Sequence, residues 1–142
     1  MLRCVLFDLD RTLLDRDASI EAFAVSQFEK FHPRFERVDR ETYVETFIRL
    51  DARGSVWKDA VYQRLVGELA IYSVTWDELF HDFDARVTDF YVPFPNMRET
   101  LTVLARKYRL GLITNGRTEF QTRTIEALKI ASFFSAIRVV LI

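Results

Sequence analysis

A single cysteine, Cys4, among 142 residues has no partner within the chain, so an internal disulfide is excluded. A reducing compartment, the cytoplasm, is the expected setting. Glycine and proline are scarce, 4 and 3 residues, which leaves no flexible linker and no low-complexity tract. Net charge is nearly absent: 20 Lys and Arg against 21 Asp and Glu give −1. That balance offers neither the electrostatic footprint of a nucleic-acid partner nor a polybasic membrane patch. No run approaches the roughly 18 apolar residues of a membrane span. Met1-Leu2-Arg3 leads into a strand-like run rather than a signal peptide, so a soluble protein is expected. What the sequence has in quantity is apolar surface. At 49% hydrophobic residues, 14% aromatic, it reads as one globular chain with a real core, not a disordered one.

The apolar residues fall into two patterns. Cys4-Val5-Leu6-Phe7 is a short continuous run, the pattern of a strand buried on both faces, with Cys4 an inert packing residue; further strands are expected at Leu110-Gly111-Leu112-Ile113 and at Ile137 to Ile142, with Val139-Val140-Leu141-Ile142 its apolar part. Two helices accompany them. One is opened by Asn96 with Glu99 three residues on and shows Met97, Leu101, Leu104 and Tyr108 on one face. The other is opened by Thr118 with Gln121, a capping-box spacing, and carries Ile125 and Leu128. Strand–helix–strand–helix–strand predicts an α/β fold with a parallel sheet. Residues 15–93 interrupt it with helical periodicity alone. Its stripes are Ile20, Phe23, Ala24, Phe28 and Phe31; Tyr43, Phe47 and Leu50; Trp57, Val61, Leu65, Leu69 and Tyr72; and Trp76, Leu79, Phe80, Phe83, Val87 and Phe90. They are the core of an inserted helical subdomain, closed by Pro93 and Pro95, while residues 1–14 and 94–142 form the α/β part.

Asp8-Leu9-Asp10-Arg11-Thr12 follows the first strand directly. In extended chain, residues 8 and 10 point the same way, which puts two carboxylates together past the strand's C-terminal end. Ligands bind at that end of open α/β sheets. Neighbouring carboxylates repel, and Mg²⁺, which takes one or two carboxylates plus waters and substrate oxygens, relieves the repulsion. One carboxylate can then attack phosphorus while the other moves protons. Read by themselves, the two residues are equally at home as turn residues after a strand. A second element, Ile113-Thr114-Asn115-Gly116, ends the second strand: a hydroxyl, an amide and a glycine turn leading into a helix N-terminus suit a phosphate oxygen. Asn115-Gly116 alone is also a plain turn signal. No G-x-G-x-x-G follows the first strand, which excludes a dinucleotide-binding module.

Phe7-Asp8-Leu9-Asp10-Arg11-Thr12-Leu13, followed far downstream by Ile113-Thr114-Asn115-Gly116, resembles the first two signature motifs of the haloacid dehalogenase-like (HAD) hydrolase superfamily. The insert resembles that superfamily's C1-type cap, and the run from Gln121 to Phe133-Phe134 is similar to the stretch after the second motif in its capped phosphatase branch. The resemblance implies a HAD-like Rossmannoid sheet, three strands of it present, with a helical cap. It implies Asp8 as nucleophile and Mg²⁺ ligand, and Asp10 as general acid/base, holding the metal through its backbone carbonyl. Thr12 would support the loop, Thr114 would bind the transferring phosphoryl group, and Asn115 would assist. Dehalogenases of the superfamily lack an acid at the place of Asp10, since a departing halide needs no proton. A small phosphorylated metabolite is therefore the expected substrate. In the family the cap sets substrate choice, and Arg53 and Lys58, beside the break at Gly54, are either contacts for an anionic substrate or solvated surface cations.

The superfamily's third motif, a Lys or Arg, and its fourth, an acidic one, would lie beyond Ile142, since Lys129 reads as a helix-end cation. Two expectations follow. One is a Mg²⁺-dependent phosphatase read from an incomplete chain. The other is a truncated remnant that keeps the first two motifs without turnover. The family's strand order puts the fourth strand beside the first, so an open edge at Cys4 to Phe7, with self-association through it, is expected.

Overall fold

The structure, a computed structural model, describes residue 1 and residues 3–141. It divides into two compact units, Met1–Arg16 with Tyr91–Ile142, and Asp17–Phe90.

The first unit is built on a parallel sheet of β1 (Cys4–Phe7), β2 (Arg109–Asn115) and β3 (Ala136–Val140), ordered β1-β2-β3. All three apolar runs foreseen from the sequence are strands, although Ile142 lies outside the described residues. Two helices serve the sheet: α5 (Met97–Ala105) leads into β2, and α6 (Thr118–Leu128) crosses from β2 to β3. One sheet face is covered. Leu110 and Leu112 of β2 pack there with Leu9, Leu101, Ile125 and Ile130, all nearly or fully buried. Each such side chain removed from water contributes about 1.5–3 kcal/mol. The chain leaving β1 is stitched to the chain entering α5: Asp15 N–H donates to Val92 O (2.8 Å), Phe94 N–H donates to Leu13 O (3.0 Å), and Leu14 bridges Pro93 antiparallel.

The expectation that β1 is buried on both faces is corrected. Its residues alternate, Val5 and Phe7 half-buried, Cys4 and Leu6 exposed, with Leu6 at 64%. Period-two geometry sends alternate side chains to opposite faces, and among the described residues only one face is packed. Cys4 is thus an exposed thiol rather than a core residue. β1 lies at the end of the strand order, so it has no partner on its outer side among the described strands.

Both expected helix caps also differ. Asn96 stands at the N-cap of α5 but in left-handed conformation (φ 62°), with no side-chain bond to the helix. Thr118 is the first helical residue of α6; Arg117 occupies the cap position, and Gln121 turns its side chain elsewhere. Tyr108 lies past the end of α5.

The second unit consists of α1 (Arg16–Phe31, beginning at the boundary), α2 (Arg40–Asp51), α3 (Lys58–Glu68) and α4 (Trp76–Arg86). Its core is aromatic: Phe23, Tyr43, Phe47, Tyr62 and Phe83 are all buried. Phe23 meets Phe83 edge-on at 5.2 Å, a favoured arrangement for the ring quadrupoles. Two of the stripe residues expected in this core are outside it. Trp57 is the N-cap residue of α3, and Tyr72 follows the helix in a loop, 87% exposed. Trp57 precedes the first turn of α3 and Tyr72 follows its last, so the helical period does not set the direction of either. Two helix starts are chemically explicit. Asp39 accepts from Thr42 N–H (2.9 Å) to open α2, and Thr75 with Glu78 forms a reciprocal capping box on α4. Among the described residues, no helix is long and apolar enough to cross a membrane.

Candidate active site

β1 ends at Phe7, and the chain turns at once. Leu9 is fully buried, and its carbonyl accepts from Leu13 N–H (2.9 Å) and Leu14 N–H (3.1 Å), with a longer bond from Thr12 N–H (3.3 Å). Arg11 takes a left-handed conformation (φ 62°), and its N–H donates to Leu14 O (2.8 Å). With Leu9 anchored inward, Asp8 is exposed and Asp10 is half-buried. Thr12, at the surface, takes part in the turn through its main chain.

Asp10 is the more perturbed of the two acids. Burial raises its pKa above the ordinary carboxylate value of 3.8, and the charge of Asp8 adds to that; a hydrogen bond from Gln121 and the charges of Arg16 and Arg11 act against it. A carboxyl group in such surroundings holds its proton more readily than a free one, which suits a proton donor.

The neighbouring strand brings the second loop to the same end of the sheet. Thr114 is buried at 1% exposure and pairs with Val139, while Asn115, the last residue of β2, is exposed. Gly116 follows with φ 140°, a conformation that side chains rarely adopt. Its N–H donates to Val140 O (2.9 Å). α6 begins two residues later, so its N-terminus stands beside this loop.

Gln121, in the first turn and a half of α6, joins the two loops. Its Nε2 donates to Asn115 O (2.6 Å) and to Asp10 Oδ2 (3.3 Å). From the sequence this residue was assigned to capping only. The available signal was a long amide side chain placed on the helix that starts at the strand end. Tyr91 lies in the same unit, its hydroxyl paired with Thr124 Oγ1 (3.2 Å), and burial pushes its pKa up to about 12.

A stretch of 136 residues, 5–140, matches the family model described as haloacid dehalogenase-like hydrolase. The chain belongs to that family. Among curated proteins, it is 28% identical over 153 aligned positions to the N-acylneuraminate-9-phosphatases of Mus musculus and Homo sapiens. The alignments cover 96% of this chain and 60% of each relative, so the chain spans well under two thirds of their length. Among solved structures, a magnesium-bound HAD-type protein from Bacillus subtilis superposes with a TM-score of 0.70 at 21% identity, over 97% of this chain and 63% of that one. L-2-haloacid dehalogenase from Xanthobacter autotrophicus gives 0.64 at 17%, over 98% and 57%. At those identities the structures establish the fold, an α/β Rossmannoid sheet.

The HAD chain therefore gathers Asp8, Asp10, Thr114 and Asn115 at one end of its sheet. Arg53 and Lys58 belong to the helical unit. Arg53 is exposed in left-handed conformation (φ 59°), whereas Lys58 forms an ion pair with buried Asp51 and lies 5.4 Å from the centre of the Phe83 ring. Lys129 caps α6 in left-handed conformation, as a helix-end cation. The donor set at the sheet end consists of hard carboxylate oxygens, and among the described residues no group of three or more His, Cys, Asp or Glu is arranged to hold a metal ion. Mg²⁺, which is usually bound through one or two carboxylates and keeps several waters, matches this donor set of two carboxylates.

Proposed function

We propose that this chain carries the first two catalytic loops of a Mg²⁺-dependent phosphatase acting on a small phosphate monoester. The observation that carries the reading is the Gln121 bridge: it ties the Asp8-Leu9-Asp10 turn to the Thr114-Asn115-Gly116 turn at the end of the sheet where ligands bind. The phosphatase names of the two mammalian relatives support a phosphate ester. So does the acid at position 10, because an alkoxide leaving group needs a proton and a halide does not.

In this reading the carboxylate of Asp8 attacks phosphorus. An Asp8 O–P bond forms as the bond to the ester oxygen breaks, and Asp10 gives its proton to that oxygen. Asp10 then takes a proton from water as the water oxygen attacks the aspartyl-phosphate. Inorganic phosphate leaves and Asp8 is restored. Thr114 and Asn115 bind phosphoryl oxygens. Asp8, through its carboxylate, and Asp10, through its backbone carbonyl, would hold Mg²⁺, which supplies charge neutralisation for the phosphoryl group. The helical unit would serve as a cap, excluding water and choosing the substrate, with exposed Arg53 as a contact to its anionic part, whereas Lys58 is engaged by buried Asp51.

The test is hydrolysis of p-nitrophenyl phosphate by the purified chain with Mg²⁺ and with EDTA, beside Asp8→Asn. Metal-dependent turnover that falls to background in Asp8→Asn is the expected result. Turnover that survives in the variant would remove Asp8 from the nucleophile's role. No turnover at all would favour a chain that keeps the loops without the reaction.

A further inference from the structure

We infer that Gln121 is a positioning residue for Asp10: its carboxamide clamps one carboxyl oxygen to the neighbouring loop and leaves the other to move the proton. The inference rests on the phosphatase reading above and adds to it a residue and an assignment of oxygens.

Four observations converge on this side chain. First, Gln121 is 4% exposed, a polar side chain on the buried face of α6 that it shares with Thr124, Ile125 and Leu128. Second, its nitrogen faces the main-chain carbonyl of Asn115, which only accepts, at 2.6 Å, so turning the amide over would set oxygen against oxygen there; the same nitrogen reaches Oδ2 of Asp10. Both amide hydrogens are used, one on each catalytic loop. Third, Oε1 is buried with no hydrogen-bond partner, and it is the sole such side-chain atom among the described residues. A glutamine whose role was only to fill and fasten would be expected to satisfy both ends, as nearly all buried polar groups do. Here one end is left unsatisfied while the other reaches the acid. Fourth, the loop is shaped around the amide. A Cβ on Gly116 would lie 3.0 Å from Nε2 and 3.2 Å from Cγ of Gln121, so the glycine leaves the space that the side chain occupies.

The chemical consequence concerns which oxygen of Asp10 works. Oδ2 receives the amide hydrogen and behaves as the carbonyl-like oxygen, so Oδ1 carries the proton to the leaving group. The 3.3 Å bond is the longer of the two; hydrogen bonds of this kind are commonly long before substrate arrives and tighten in the complex. Loss of a partner that orients a reacting or metal-binding group typically costs about 10–100-fold in activity.

The experiment combines kinetics with an observation that needs no turnover. Gln121→Met keeps the volume and removes both bonds; Gln121→Glu keeps the shape and sets a carboxylate against Asp10. Each is assayed with Mg²⁺ on an alkyl phosphate, glycerol 2-phosphate, whose leaving group needs a proton, and on p-nitrophenyl phosphate, whose leaving group needs little help. Gln121→Met is expected to lower kcat on the alkyl phosphate about 10–100-fold with KM almost unchanged. The loss should be several-fold smaller on the aryl phosphate and should vanish in an Asp10→Asn background; Gln121→Glu should lose more than Gln121→Met. Equal losses on both substrates, or losses that multiply with Asp10→Asn, would reduce Gln121 to a structural residue. Independently, the side-chain NH₂ pair of Gln121 should exchange slowly with solvent by NMR and shift in Asp10→Asn. An amide that exchanges fast and does not shift would overturn the clamp whatever the kinetics. If the wild-type chain shows no turnover, or Asp8→Asn stays active, the phosphatase reading fails and takes the catalytic role with it, while the NMR result still decides whether the clamp exists.

Discussion

Each unit of the molecule buries one glutamine side chain, and the two are used differently. In the helical unit, Gln27 is fully buried and every end is occupied. Its Oε1 accepts from the hydroxyls of Tyr43 (2.9 Å) and Tyr62 (2.8 Å), and its Nε2 donates to Leu79 O (2.9 Å) and Asp82 Oδ2 (3.1 Å). Asp82 in turn takes Lys30 (2.5 Å) and Arg86 (2.8 Å). Burial raises the pKa of both tyrosines, which keeps them neutral donors. In the α/β unit, Gln121 fills its nitrogen and leaves its oxygen without a donor. A closed network specifies one packing of a core, because every alternative leaves some member unsatisfied. An open one costs stability where it stands, the pattern expected when a side chain's position is set by the site rather than by the core.

The largest effect should come from opening the closed network. Gln27→Met removes the acceptor of two buried hydroxyls at once and should destabilise the chain by about 3 kcal/mol, from a penalty of roughly 1–3 kcal/mol per abandoned group. Urea unfolding measures it; a cost under about 1 kcal/mol would mean that the tyrosines find other partners. Acid should weaken the same network next. Although burial pulls the Asp82 pKa up, bonds from Arg86, Lys30 and Gln27 outweigh it and hold the value below 3.8. A depressed carboxylate contributes stability that is present above its unfolded value and lost as pH falls through the folded one. The thermal midpoint of the wild type should therefore drop further between neutral pH and about pH 3 than that of Asp82→Asn, which should itself cost about 2 kcal/mol at neutrality. Equal drops would remove Asp82 from the acid response.

How much of this was legible differs between the units. The three strands were, because short apolar runs too brief for a helix leave few alternatives. Which face of β1 is covered was not: an apolar run states that a strand can be buried, and what covers it depends on elements distant in sequence. The helical stripes were legible, and Gln27 sits in one of them, at i+4 from Phe23 and i−4 from Phe31; a polar residue on that line is the mark of a buried network, and reading for apolar residues passes over it. Caps divided by chemistry. Thr75 with Glu78 and Thr118 with Gln121 share a spacing, yet only the first pair closes a box. Spacing cannot show that the second member has found a carboxylate and a carbonyl instead. The paired acids and the T-N-G turn stood out from the sequence alone, as residue types at strand ends; the bridge between them required two strands to be neighbours.

Two substitutions sharpen the comparison from the other side. Gly116→Ala forces a Cβ into left-handed backbone and against Nε2 of Gln121, and should cost about 1–2 kcal/mol, read as a lower urea midpoint. A neutral effect would show that the loop yields easily and that the amide is not tightly seated. The smallest stability effect should belong to Gln121→Met. It gives up a bond to the carbonyl of Asn115, but that residue is exposed and water can replace the donor. It also gives up the long bond to Asp10. Against those losses it removes a buried oxygen without a partner, whose desolvation carries a penalty of roughly 1–3 kcal/mol. The terms oppose each other, and the net change should lie within about 1 kcal/mol of zero, in either direction. Two substitutions of the same residue type by the same residue, at equally buried positions, should thus differ by about 2 kcal/mol or more, because one empties a full network and the other relieves a vacant one. A Gln121→Met variant as unstable as Gln27→Met would mean that Oε1 has a donor in solution, and that both glutamines serve the fold alone.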